Sequence, residues 1–193
     1  MTGSRRIALA MTATGALAAT TAGAYVGLVT GRFSLDLGIG RRTRPLGPIR
    51  VEIAAPREQV YAVATAPYAE RRPRAMAEKV EILERGEDMV LAAHHTPIAS
   101  PLRHLDAVTV ETVAFEPPET IKFRLVRGPV PLVTETFDLQ PTPTGTQLTY
   151  TGELSTDLGA LGARWGDLVT RSWLRAVETS LAAIKSESER RAH

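Results

Sequence analysis

The residues best suited to chemistry sit in "LVTETFDLQPTPTGTQLTYTGEL", positions 132–154. In its first half Val133, Glu135, Phe137 and Leu139 share one parity, and in its second half Leu148, Tyr150 and Leu154 do. Alternation of period two marks a β-strand with one buried face, so the segment reads as a hairpin closed by "TPTG" at 142–145. A carboxylate, Glu135, therefore points where Phe137 and Leu139 point, and Tyr150 offers a hydroxyl from the facing strand. A buried ionised carboxylate is expensive unless paired, and an unpaired one takes up a proton. Glu135 is then a strand-end residue that reaches water, an internally paired structural group, or a cavity acid or ligand anchor. "GPVP" at 128–131 puts it only a few residues from a turn. We therefore expect it at a cavity mouth, partly exposed, orienting a polar ligand head.

The histidines offer less. His94 and His95 are consecutive, so on a strand their rings face opposite sides and cannot jointly chelate a metal. The plain reading is a strand-end pair near the rim; the alternative is one cavity acid–base histidine. No second ligand cluster stands at metal spacing. The chain has no cysteine, which excludes disulfides, thiolate metal sites and cysteine nucleophiles. Serine, histidine and aspartate occur without a nucleophile elbow, and there is no phosphate loop or dinucleotide fingerprint. No metal or other cofactor is expected.

The net charge of +2 hides an asymmetry. Residues 1–50 hold seven arginines against Asp36 alone, whereas the rest is mildly acidic. Nothing marks the folded part as a nucleic-acid binder. From Ile7 to Gly31 no residue is charged, and alanine, threonine and glycine fill 17 of these 25 places. The run is long enough to cross a bilayer as a helix. Residues 1–31 are read as a single-pass N-terminal anchor, touching the membrane through residues 7–31. A cleaved signal ending at "AGA" is the alternative. Arginines on the C-terminal side outnumber Arg5 and Arg6, which leans the folded domain toward the cytoplasm, an exported domain being the alternative.

Several elements must position Glu135 and Tyr150. Residues 32–48, rich in glycine, arginine and proline, read as a linker, and the domain is placed at 49–190. "PIRVEIAAP" reads as a strand, "PREQVYAVATAP" as a helix, and "YAERRPRAM" as a short second helix and loop. Six strand-like pieces follow with short turns, which argues an antiparallel meander; only 96–104 is a longer loop. Residues 158–191 have helical periodicity, with Leu161, Trp165, Leu168, Val169, Ala176, Leu181 and Ile184 as the apolar positions. The fold class is α+β: a curved seven-stranded antiparallel sheet wrapped around a long C-terminal helix, preceded by an N-terminal hydrophobic helix. Ser172, Ala176, Thr179, Ser180 and Ala183 fall close together on the helical wheel. They would hold the helix back from the sheet and leave a cavity, although small residues equally allow tight packing. Trp165 lies on the apolar stripe near the helix start.

With "IRVEIAAPREQVYAVATAP" at the start, "PPETIKFRLV", "FDLQPTPTGTQLTYTGEL" and a tryptophan-bearing terminal helix, the chain resembles the START-like, helix-grip superfamily. That superfamily includes polyketide cyclases, aromatase/cyclases, plant pathogenesis-related-10 proteins and lipid-transfer domains. The resemblance covers about 49–190 and implies a cavity that takes a hydrophobic ligand; only some members catalyse a reaction. The expected function is a membrane-anchored domain binding a hydrophobic small molecule or lipid, with Glu135, Phe137, Tyr150, Trp165, Ser172 and Ala176 as ligand-facing residues. A polyketide cyclase/dehydratase and a ligand-free interaction domain are the alternatives.

Overall fold

The computed structural model describes residues 23–24, 26–28, 30–31, 33–98 and 105–192. The order is β1 (Arg42–Ile53), α1 (Arg57–Thr65), a 3-10 turn (Ala66–Tyr68), α2 (Arg74–Ala77), and then six strands. These are β2 (Val80–Arg85), β3 (Met89–Ile98), β4 (Leu105–Glu116), β5 (Thr120–Arg127), β6 (Leu132–Thr142) and β7 (Gly145–Thr156). Helix α3 (Gly159–Ala192) ends the chain. Most of the expected anchor, and residues 99–104, lie outside the described residues. Among those described, no helix is long and apolar enough to cross a membrane.

The seven strands form one antiparallel sheet in the order β1-β7-β6-β5-β4-β3-β2. Strands β2 to β7 run as a meander, and β1 joins the free edge of β7. The alternation read from sequence holds in β6, where Val133, Glu135, Phe137 and Leu139 are all buried and the residues between them are not. Strand β7 answers with Leu148 opposite Leu139, Tyr150 opposite Phe137 and Leu154 opposite Val133. Each such side chain taken fully from water contributes about 2 kcal/mol.

One boundary differs from the sequence reading. Part of the expected linker is strand: β1 starts at Arg42, and Arg42 to Leu46 pair with Thr156 to Gly152. Pro45 and two arginines, Arg42 and Arg44, disguise it, and β1 tolerates them because it is an edge strand. The register shifts between Leu46 and Ile49. Gly47 sits there at φ +86°, where a Cβ would meet the Tyr150 carbonyl at 2.8 Å, so a glycine is required to let this bulge rest on β7.

Helix α3 packs on β1, β7 and α1. The side it turns inward carries Trp165, Val169, Trp173, Val177 and Leu181. Leu161, Leu168 and Ala176, expected on the apolar stripe, are exposed instead. At that level Gly162 and Gly166 are the buried residues of the helix, Gly166 lying against Arg44 and Thr156, and the leucines lie on another face. Among the described residues the sheet's inner face is not sealed across its width. Over β2 to β5, Ile82, His94, Phe115 and Phe123 remain partly exposed.

Candidate functional site

Glu135 is not at a rim. It is 8% exposed, in the middle of β6, opposite Phe123 of β5 and Gly152 of β7. The turn before β6 lies close in sequence, but Val130 and Val133 are buried there and α3 crosses above, so proximity to the turn does not bring water. Gly152 makes room for the carboxylate. A Cβ there would stand 2.6 Å from the Thr134 carbonyl oxygen and 3.1 Å from Cγ of Glu135.

Two donors converge on one oxygen. The Tyr150 hydroxyl donates to Oε1 of Glu135 at 2.5 Å, and the Trp173 indole N–H donates to the same atom at 2.6 Å. The second oxygen, Oε2, accepts from no described residue, yet it is not among the fully enclosed atoms that lack a partner. It therefore keeps some accessible surface. Burial, with the nearby charge of Glu111, drives the Glu135 carboxyl up to about 7, against the opposing pull of the Tyr150 and Trp173 donors and of His94. The Tyr150 hydroxyl is raised by burial and by Glu135, so it stays a donor at any physiological pH.

A second polar group occupies the same face. Nδ1 of His94 lies 3.2 Å from Oε2 of Glu111, and Nε2 lies 3.0 Å from the Tyr68 hydroxyl. In neutral His94 with its proton on Nδ1, Nε2 accepts from Tyr68; in the imidazolium both nitrogens donate. Burial works against the His94 cation. The bond to Glu111 and the charges of Glu111 and Glu135 outweigh it, and the histidine pKa is raised. Between the two groups runs a file of rings. Tyr68 meets Phe123 at 6.5 Å between centroids, Phe123 meets Phe137 at 5.2 Å and Phe137 meets Tyr150 at 5.9 Å.

The sequence candidates separate accordingly. Glu135, Phe137 and Tyr150 come together as expected from parity. Trp165 lies at the start of α3, half-buried, and its indole N–H donates to the Pro129 carbonyl at 2.8 Å, closing the helix onto the β5–β6 turn. Ser172 and Ala176 do not join them. Both are exposed; the residues that α3 turns inward are its tryptophans and valines and, near its start, Gly166 against Arg44 and Thr156. His94 belongs to the interior and His95 points away toward Glu81, so the pair is not a rim feature. Sequence reasoning missed Glu111, Tyr68 and the role of Trp173. Glu111 carries the same signal as Glu135, since it shares parity with Val113 and Phe115. Val108 and Val110 on the other parity masked it, and the register shift between Val110 and Glu111 interrupts the alternation. Among the described residues no cluster of histidine, aspartate and glutamate could hold a metal ion.

A curved antiparallel sheet gripping one long helix, with polar groups set into an aromatic inner face, defines a helix-grip domain. The chain belongs to the polyketide cyclase / dehydrase and lipid transport family, whose model matches residues 49–189. Among solved structures it is similar to the Zhui aromatase/cyclase of a Streptomyces species, with 19% identity and a TM-score of 0.56 over 79% of this chain and 96% of that one. It is similar also to norcoclaurine synthase from Thalictrum flavum, solved with dopamine and hydroxybenzaldehyde (13% identity, TM-score 0.55, 77% and 87% covered). A Thermus thermophilus protein aligns at 16% identity and a TM-score of 0.54 over 79% and 98%. At these identities the likeness is one of fold. No curated protein matches.

Proposed function

We propose that this domain binds a hydrophobic small molecule or lipid between the sheet and α3, and that Glu135 holds the ligand's hydrogen-bonding head. The carrying observation is the open oxygen of Glu135. Tyr150 and Trp173 fix Oε1 and so orient Oε2, which a ligand hydroxyl reaches from the unsealed side of the sheet. The rings of Phe123 and Phe137 offer the apolar contact beside it. Norcoclaurine synthase, of similar fold, holds phenolic compounds, which supports a hydroxylated aromatic as the first probe. The domain is tethered to a membrane through residues 7–31, with the folded part on the cytoplasmic side, a reading supported by the uncharged run and its flanking arginines.

The test is the affinity of 2-naphthol against its methyl ether, which lacks the donor. A hydrogen bond to a charged acceptor contributes about 1.5–3 kcal/mol, so 2-naphthol should bind roughly tenfold or more tightly at pH 8, where Glu135 is ionised. Glu135→Gln should shrink the difference. Equal affinity of both probes for the unsubstituted chain would overturn the assignment.

A second reading is favoured by one specific observation. Glu135 and His94, on one inner face, both have raised pKa values, and Glu135 titrates near neutrality. Two such groups can serve as acid and base toward a β-keto substrate. Turnover of such a substrate, abolished by Glu135→Gln with probe binding retained, would establish it.

A further inference from the structure

The end of the molecule where α3 begins carries an unusual amount of exposed hydrocarbon. Leu158, Leu161 and Leu168 are 43, 69 and 57% exposed, and Leu37 and Ile39 in the preceding arm are 50 and 66% exposed. Arm and helix start are neighbours: the Leu158 amide donates to the Ile39 carbonyl at 2.7 Å, and the Gly159 amide to the Gly40 carbonyl at 3.0 Å. Scattered leucines on a surface need no explanation, but a contiguous cluster does.

The cluster is fixed in place. The Asp157 carboxylate accepts from the Leu37 and Gly38 amides at 2.7 and 2.9 Å and from Nε of Arg41 at 2.8 Å. These donors, Arg41 first, hold its pKa down at about 2, so the clamp persists across the physiological range. Leu158 has φ +67°, the left-handed region, and is the only non-glycine among the described residues to adopt it. That conformation is disfavoured for any side chain with a Cβ. A leucine is thus held out toward water in a place where glycine would sit more easily.

Charge surrounds the hydrocarbon. Along the outward arc of α3, Leu161, Arg164, Leu168, Arg171 and Arg175 follow at three- and four-residue steps, all exposed. Arg42, Arg164 and Arg171 take part in no ion pair among the described residues. Two of the nearby acids are already engaged, Asp36 by Arg41 and Asp167 by Arg44. A second copy of this face would set arginines against arginines. A bilayer offers what both parts need, hydrocarbon for the leucines and anionic phosphates for the arginines.

We propose that this end of the domain is a membrane-docking face. Leu37, Ile39, Leu158 and Leu161 enter the boundary between headgroups and acyl chains, and Arg42, Arg164 and Arg171 meet anionic lipid phosphates. The proposal rests on the tether described above, because the uncharged run ending at Gly31 leads directly into the arm that builds the face. It goes beyond the tether in fixing which side of the domain lies on the bilayer.

The absence of cysteine makes the test clean. Leu161→Cys is labelled with an environment-sensitive nitrobenzoxadiazole dye in the full chain. Thr144→Cys, in the exposed β6–β7 turn at the opposite end of β7, is labelled as the control. Both are reconstituted with phosphatidylcholine–phosphatidylglycerol vesicles carrying brominated acyl chains. The expected result is flotation with the vesicles, with a blue shift and quenching at position 161 and neither at 144. Flotation with both dyes unquenched would overturn the docking face while leaving the tether. Failure to float would overturn both. Shielding of position 161 without vesicles, together with disulfide-linked dimers of unlabelled Leu161→Cys, would overturn it in favour of a second copy.

Discussion

Replacing Glu135 with glutamine should make the protein more stable at pH 8 and leave it unchanged near pH 4. The folded state holds the Glu135 carboxyl at about 7 against an ordinary value of 4.5, chiefly because burial disfavours the charge. Between those two values the folded chain binds one more proton than the unfolded chain, so stability falls as pH rises through the window. At 1.36 kcal/mol per pH unit the loss reaches ~3 kcal/mol above pH 7. Glutamine is neutral throughout and keeps an oxygen for the Tyr150 and Trp173 donors, so the variant escapes that loss. For a chain of this size ~3 kcal/mol corresponds to roughly 6–12 °C in Tm. A slope remains in the variant, because the raised pKa of His94 gives stability that is present below 6.5 and lost as pH rises beyond it. The assay is urea denaturation followed by tryptophan fluorescence at intervals from pH 4 to 9, comparing the two chains. A difference independent of pH, or a variant less stable at pH 8 than at pH 5 relative to the parent, would refute the reasoning.

Three further outcomes follow from the same geometry. Trp173→Phe removes a donor that opposes the rise of the Glu135 pKa, so the Glu135 titration seen by carbon-13 NMR should move above its parent value; a downward move would contradict the assignment. Gly152→Ala forces a Cβ to within 2.6 Å of the Thr134 carbonyl oxygen, which is backbone and cannot step aside, so denaturation should show a loss of about 1–3 kcal/mol. Asp157→Asn removes the charge that clamps Arg41 and the Leu37–Gly38 amides, so limited trypsin digestion should cut after Arg41 or Arg42 faster than in the parent, while cleavage inside the sheet is unchanged.

What the sequence made legible was whatever is written in periodicity. The meander from β2 to β7 follows from alternation and turn residues, and the inward direction of Glu135 and Tyr150 follows from parity alone. Depth was not legible. Parity says which side Glu135 faces but not that α3 passes over it, and that crossing turns a rim residue into a buried one whose pKa is displaced. The helix face was misjudged for a related reason. Leu161 and Leu168 look like core from their spacing, but the helix turns Gly162, Gly166, Trp173 and Val177 inward instead. Tyr68 was invisible because it lies in a three-residue 3-10 turn, too short for any period, and reaches His94 only through the fold. The start of β1 was hidden by Pro45 and the arginines, residues that an edge strand accepts and a central one would not.

The most direct test of the ligand assignment is a crystal structure of the protein soaked with 2-naphthol at pH 8. The naphthol hydroxyl should lie within hydrogen-bonding distance of Oε2 of Glu135, with the rings against Phe123 and Phe137 and the Tyr150 and Trp173 bonds to Oε1 intact. Naphthol bound elsewhere on the protein, or an interior in which repacked side chains occupy the space beside Oε2, would contradict it.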